Sequence, residues 1–112
     1  MSSAAKLQLF RMQSEICKIL SDPKRLMIIH ELREGGLSVG QLVTRLKLPQ
    51  ANVSQHLSIM LKRGIVSTRH EGTTVYYNLV SCKIGEACDM VREVLKEQLS
   101  NTRILGRLLK TI

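Results

Sequence analysis

Two short amphipathic segments joined by a very brief connection constrain the fold of this chain most strongly. Residues 39–47 carry apolar side chains at helical spacing, and Ser38 before them is a residue type that caps helix N-termini. Pro49 opens a second such segment almost at once. Because two short helices with so brief a connection must cross steeply, residues 38–63 predict a helix-turn-helix.

The second helix of this unit has an unusual polar face. Its apolar stripe is expected to consist of Val53, Leu57, Met60 and Leu61. The opposite side has short or amide-bearing side chains and no carboxylate, which suits close approach to a major groove, where Asn and Gln can pair with adenine. We therefore expect contacts to base edges and nearby phosphates from this face, through Gln50, Ala51, Asn52, Ser54, Gln55 and Ser58.

Acidic residues are absent from the middle of the chain. The formal net charge is +8, yet no Asp or Glu occurs between Gly35 and His70. A surface that faces DNA phosphates needs such a gap, because one misplaced carboxylate would repel the backbone. The alternative is a chance gap on an ordinary solvated face. On the first interpretation, the phosphate contacts come from Lys47, Lys62, Arg63 and Arg69.

Further helices and a hairpin surround the helix-turn-helix. One helix is predicted over residues 4–20, and a second begins after Ser21, its expected N-cap. After Gly64 the apolar pattern changes from helical spacing to alternation, which predicts a two-stranded wing over residues 65–79. A long helix and a short final helix follow over residues 83–111.

The element order is therefore α-α-α-α-β-β-α(-α), within a single domain over residues 1–112. This order predicts a mostly α fold with a two-stranded β wing, a winged helix-turn-helix. The core must be aliphatic, because the chain has one Phe, two Tyr and no Trp. No apolar run reaches the about 18 residues of a membrane span, and the N-terminus lacks the pattern of a secretory signal. We therefore expect a cytoplasmic protein with no membrane partner.

Four motifs bear on the family of the chain. They are "LSDPKRL" at 20–26, "SQHL" at 54–57, "LKRGIV" at 61–66 and "EGTTVYY" at 71–77. Together they resemble the ArsR-type winged helix-turn-helix repressors, small DNA-binding dimers that leave their operators when an inducer binds. The resemblance covers residues 15–80. It implies a homodimer joined through the helices at 4–20 and 83–111, bound to double-stranded DNA at half-sites about 34 Å apart.

The resemblance also allows the family's metal sites to be checked. One such site uses a cysteine pair at the start of the third helix, where this chain has Ser38 and Gly40. Another uses aspartate and histidine on the last helix, which here has Asp89 but no histidine. The comparison implies no metal site and no resident cofactor.

Three cysteines remain as candidate sensor residues: Cys17, Cys82 and Cys88. Cys17 and Cys88 lie on the two helices that the family packs at its dimer seam, and Cys82 lies at a helix N-terminus, where negative charge is favoured. One hypothesis is that oxidation, or a trivalent arsenical, joins Cys17 to Cys88 and shifts the helices. The alternative is that these thiols are small buried hydrophobes. Relatives that sense sulfur species use a cysteine on the second helix, and His30 occupies that position here.

Other functions fit the sequence less well. A winged helix that binds protein would expose apolar residues on the fourth helix, where Ile59 is the only candidate. An architectural or RNA-binding role would tolerate the basic surface without needing the amide face. No Ser–His–acid, metal-hydrolase or phosphate-loop pattern is visible, so we expect no enzyme activity. The sequence does not identify the inducer.

Overall fold

The computed structural model describes residues 1–100, 106–108 and 110, and they form a winged helix-turn-helix. The helices are α1 Ser3–Ile19, α2 Pro23–Glu31, α3 Val39–Leu46, α4 Gln50–Lys62 and α5 Cys82–Leu99. The strands are β1 Leu37–Ser38, β2 Val66–Glu71 and β3 Thr74–Leu79, and a 3-10 turn spans Leu32–Glu34. The predicted mostly α architecture with a wing is confirmed.

The core is aliphatic and lies between α2, α3, α4 and the start of β2. Its fully buried side chains are Ile28, Ile29, Leu42, Leu57, Met60, Val53 and Val66. The prediction for the α4 stripe is wrong at one position, because Leu61 is 41% exposed. At 100° per residue, Leu61 lies about 80° from Val53, at the edge of the arc that faces the core.

The N-cap of α2 also differs from the prediction. The Asp22 carboxylate accepts hydrogen bonds from the backbone N–H groups of Lys24 at 2.8 Å and Arg25 at 3.2 Å. The Ser21 hydroxyl instead donates to the Lys18 carbonyl at 2.7 Å. Pro23 is the first residue of the helix, so the extended residue directly before it takes the capping position.

The electrostatic environment keeps Asp22 ionised. Desolvation raises the pKa of its carboxyl, but the hydrogen bonds from Arg25 and Lys24 and the nearby charges of His56 and Arg25 outweigh this effect. The net result is a pKa below the ordinary value. The cap therefore remains charged at neutral pH, at the start of a helix whose dipole favours an anion.

The sheet has three strands in the order β1-β3-β2, where the sequence predicted two. β1 pairs antiparallel with β3, with Leu37 opposite Tyr77 and Ser38 opposite Tyr76. A strand of two residues is too short to show an alternating pattern, so the sequence does not predict it. In the hairpin itself, Gly72 takes the positive φ of 59° expected at the turn.

A tight backbone motif connects α4 to the wing. Gly64 has a φ of 73°, and its N–H donates to the Leu61 carbonyl at 3.2 Å. The Ile65 N–H reaches back to the Met60 carbonyl at 2.9 Å, which completes a Schellman motif. Ile65 is buried directly after this turn, so the direction in which β2 leaves α4 is fixed.

The terminal helices are the least buried elements. α1 has no buried residue, and α5 buries only Gly85 and Cys88. The predicted short final helix lies largely outside the described residues, although 106–108 are helical. In the part of the chain that the structure describes, no helix has the length and hydropathy of a membrane span.

We expect Leu57→Ala to lower the free energy of unfolding by about 2–5 kcal/mol, because Leu57 is fully buried and its truncation leaves a cavity. The matched control is Leu61→Ala, which removes the same atoms from an exposed side chain and should cost below about 1 kcal/mol. Chemical denaturation at one protein concentration measures both values. Equal losses would contradict the placement of Leu61 at the edge of the stripe.

Candidate nucleic-acid interface

The turn between α3 and α4 determines how α4 is presented. A capping box begins α3: the Ser38 hydroxyl accepts from the Gln41 N–H at 3.2 Å, and the Gln41 side chain accepts from the Ser38 N–H at 2.9 Å. Lys47 ends the helix in the left-handed conformation, with its N–H on the Val43 carbonyl at 2.8 Å. Pro49 then precedes the first residue of α4.

The outward face of α4 carries the predicted contact residues. Gln50, Ala51, Ser54, Gln55, Ser58 and Lys62 are exposed, and Asn52 is half-buried. At 100° per residue, Ala51, Gln55, Ser58 and Lys62 lie within an arc of about 60°, opposite the buried stripe. Ser54 and Asn52 flank this arc on its two sides. The centre of the face is therefore short and uncharged except for its last residue.

Three of the cations predicted to contact phosphate lie at the two ends of this face. Among the described residues, no ion pair involves Lys47, Lys62 or Arg63, and all three are exposed. Lys47 lies in the turn, and the other two lie at the end of α4. These cations flank the polar face at both ends, where the backbone of a duplex in contact with α4 would run.

Arg69 on the wing has partners that the sequence analysis did not assign. Its guanidinium forms an ion pair with Glu71 and lies 4.9 Å from the centre of the Tyr76 ring. Tyr76 is the direct cross-strand neighbour of Arg69. A phosphate would have to share this guanidinium with Glu71, so Arg69 is a weaker candidate for a phosphate contact than Lys62. The pairing of β2 with β3 places Tyr76 opposite Arg69, so the register of the hairpin is the signal that indicates this contact.

The three thiols are free and do not lie together. Cys17 is exposed and Cys88 is buried, and both line a groove of about 830 Å³ formed by α1, α2 and α5. Cys82 is exposed on the first turn of α5 and does not line this groove. The structure thus brings two of the three candidate sensor residues to one groove. His30 also lines it.

The two groove thiols differ in their environment. Burial raises the pKa of the Cys88 thiol, and the neighbouring Asp89 charge acts in the same direction, against the opposing charges of Arg92 and Arg33. Cys88 therefore favours its protonated form. Cys17 is the more accessible thiol for a reagent that arrives from solvent.

The described residues contain no group of three or more histidine, cysteine, aspartate or glutamate side chains placed to hold a metal ion. Asp89, the acidic residue of interest on the last helix, is bound to Arg33 and Arg92, each at 3.0 Å. Its carboxylate therefore already has two cationic partners.

Comparison with known proteins places the chain among transcriptional regulators. Residues 22–68 match the model of the family described as bacterial regulatory protein, arsR family. An HTH-type transcriptional regulator of Methanocaldococcus jannaschii is 38% identical over 89 residues, which are 79% of this chain and 100% of that protein.

Solved structures of transcriptional regulators superpose on this chain. The homodimeric winged helix-turn-helix DNA-binding domain of a Mycobacterium bovis protein superposes with a TM-score of 0.78 and 25% identity, over 91% of this chain and 94% of that one. The transcriptional repressor BigR of Xylella fastidiosa gives a TM-score of 0.72 and 28% identity, over 87% and 96% of the respective chains.

Two exposed residues of α4 should differ in their effect on DNA binding. We expect Gln55→Ala to relax sequence preference at one base pair of each half-site by about 1–3 kcal/mol, because an amide reads a base edge. Lys62→Ala should weaken all duplexes alike and lower the slope of log K against log salt by about one per site. Competition binding with single-base operator variants at several salt concentrations measures both effects. Identical behaviour of the two variants would contradict this division of roles.

Proposed function

This chain belongs to the ArsR family of bacterial regulatory proteins, and we propose that it acts as a homodimeric repressor of transcription. In this proposal it binds an operator in double-stranded DNA and leaves the operator when an inducer acts. The proposal rests first on α4, whose outward face is short, polar and free of carboxylates, while its opposite face is held in the core. Cations at both ends of this face, which form no ion pair with any residue that the structure describes, add the attraction to phosphate that salt weakens.

The proposed dimer is supported by apolar surface on the terminal helices. A monomer would leave many large apolar side chains of α1 and α5 in water, which soluble monomers rarely do. The exposed residues are Leu7, Leu9, Phe10, Met12, Ile16, Met90, Val91, Val94 and Leu95. The homodimeric state of the Mycobacterium bovis domain adds support. Pairing through these helices would place two copies of α4 on one side of a duplex, about one helical turn apart.

We further propose that Cys17 and Cys88 form the sensor for a thiol-reactive or thiophilic signal. Hydrogen peroxide would convert the Cys17 thiolate to a sulfenic acid with loss of hydroxide, and the Cys88 thiol would then form the disulfide with loss of water. A trivalent arsenical held by the same two sulfurs is the second chemistry of this groove. In either case the link would join α1 to α5 and change the seam between protomers.

Two alternatives make different predictions. A regulator without a cysteine sensor would use Cys17 and Cys88 for packing alone. A winged helix that binds protein would need an apolar patch on the outward face of α4, but Ile59 is half-buried and the central residues of that face are polar or small. The shape and chemistry of α4 favour DNA as the partner, and we propose no catalytic activity.

The direction of regulation can be measured with a reporter gene whose promoter carries the operator. We expect expression to fall when the chain is supplied, and to recover when Lys62→Ala and Arg63→Ala are combined, because both cations are exposed and unpaired in the described chain. A control reporter without the operator should not respond. Increased expression from the operator promoter would contradict repression.

The cysteine proposal is tested by operator release in the presence of peroxide, polysulfide or phenylarsine oxide. We expect release from the wild-type protein, and none from Cys17→Ser or Cys88→Ser, because the link needs both sulfurs. Cys82→Ser is the matched control and should respond like the wild type, since Cys82 does not line the groove. Normal release from both groove variants would assign these thiols to packing.

A further inference from the structure

One charged contact joins α5 to the rest of the fold. Its partner lies in the segment from α2 to β3, residues 23–79, which we call the winged half of the molecule. Arg33, in the 3-10 turn after α2, donates through Nε to the Oδ2 atom of Asp89 at 3.0 Å. Its Nη1 atom also lies 3.5 Å from the carbonyl oxygen of Cys82. In the described residues, no other ion pair connects α5 to a different element. A single side chain thus holds α5 at its first residue and about two turns later.

A glycine makes this contact possible. Gly85 is buried on the side of α5 over which the Arg33 side chain passes. A Cβ atom at this position would lie 2.2 Å from Cδ and 2.6 Å from Nε of Arg33. Any other residue at 85 would therefore displace the guanidinium from its path, so the backbone of α5 is shaped to receive this arginine.

The carboxylate is held from both sides. Its second oxygen accepts from Arg92 at 3.0 Å, one turn along α5. Desolvation raises the pKa of Asp89, but hydrogen bonds and charges from Arg33 and Arg92 hold it below its ordinary value. The Arg33 and Arg92 side chains are 24% and 22% exposed, so solvent screens each ion pair less than it would screen a fully exposed pair.

The contact lies where α5 leaves the winged half. Cys88 is the last buried residue of the helix, and directly after Asp89 come Met90 and Val91, both 71% exposed. On the other side, the turn that holds Arg33 leads within a few residues to β1 and the start of α3. The pair therefore bridges the proposed dimer helix and the segment that carries the helix-turn-helix.

We propose that Arg33 and Asp89, passing over Gly85, are positioning residues that fix the angle between α5 and the winged half. They would thereby set the distance between the two α4 helices of a dimer, without touching DNA. The inference rests on the proposed dimeric mode of DNA binding and adds a determinant of operator spacing to it. The radius of gyration is 16.2 Å, and a rotation of roughly 12° would move a point at that distance from the pivot by about 3.4 Å, the rise of one base pair.

The test varies the distance between half-sites in a synthetic operator, and also measures a duplex with one half-site. For the wild-type protein we expect a sharp optimum, with affinity lower by at least about tenfold when one base pair is added or removed. Asp89→Asn and Arg33→Gln should flatten this profile to within about threefold, because the angle is no longer fixed. Affinity for the single half-site should stay within about twofold of wild type, because neither residue lies on α4.

Several variants act as controls. Glu93→Gln breaks the ion pair with Lys96 within α5 and should keep the wild-type profile, because that pair joins no second element. Asp89→Glu keeps the charge and should retain an optimum. Gly85→Ala displaces Arg33 without removing a charge and should flatten the profile. The double variant Arg33→Gln/Asp89→Asn should be no flatter than Arg33→Gln alone, since that single variant already removes the contact between the two side chains.

The outcomes separate this inference from the function on which it rests. A wild-type protein without any preference for spacing would contradict the proposed dimeric binding itself. A sharp wild-type optimum that persists in Asp89→Asn, Arg33→Gln and Gly85→Ala would overturn the role of the pair. Loss of single half-site affinity in step with loss of the optimum would also overturn it, because the pair would then support the winged half as a whole.

Discussion

Burial of the inner side of α4 in the core holds the helix-turn-helix together and orients its outer side. Val53, Leu57 and Met60 are fully buried against α2 and α3, in a core without a large aromatic side chain. Each such side chain contributes about 1.5–3 kcal/mol by leaving water. The polar residues of α4 lie on the opposite side of the helix from these three. Holding the apolar side in the core therefore turns the polar side toward solvent. The chemistry of the surface is therefore a consequence of packing.

Most of the fold could be predicted because its signals are local. Helical spacing, the cap at Ser38 and the change of period after Gly64 each act within a few residues. The strand at Leu37–Ser38 could not be predicted, since two residues show no pattern and the partner strand is distant in sequence. The polar outward face of α4 follows from the helical spacing of its residues alone. The partners of Arg69 and the Arg33–Asp89 contact depend on tertiary placement and could not be predicted that way.

The molecule combines a well-packed winged half with two helices that have little core of their own. In the winged half, the Schellman turn at Gly64 connects α4 to β2, and β2 pairs with β3. α1 and most of α5 present apolar side chains outward. The groove that contains Cys17 and Cys88 lies between these two parts. A chemical change in the groove would therefore act on the position of one part relative to the other and leave the polar face of α4 intact.

Methylation protection of operator DNA measures whether α4 enters the major groove, because guanine N7 is reached only through that groove. We expect two clusters of protected guanines per bound dimer, about 10 base pairs apart on one face of the duplex. We expect no comparable protection between the clusters. Protection of adenine N3, which lies in the minor groove, without protection of guanine N7 would contradict insertion of paired α4 helices into successive major grooves. A single cluster at saturating protein concentration would also contradict it.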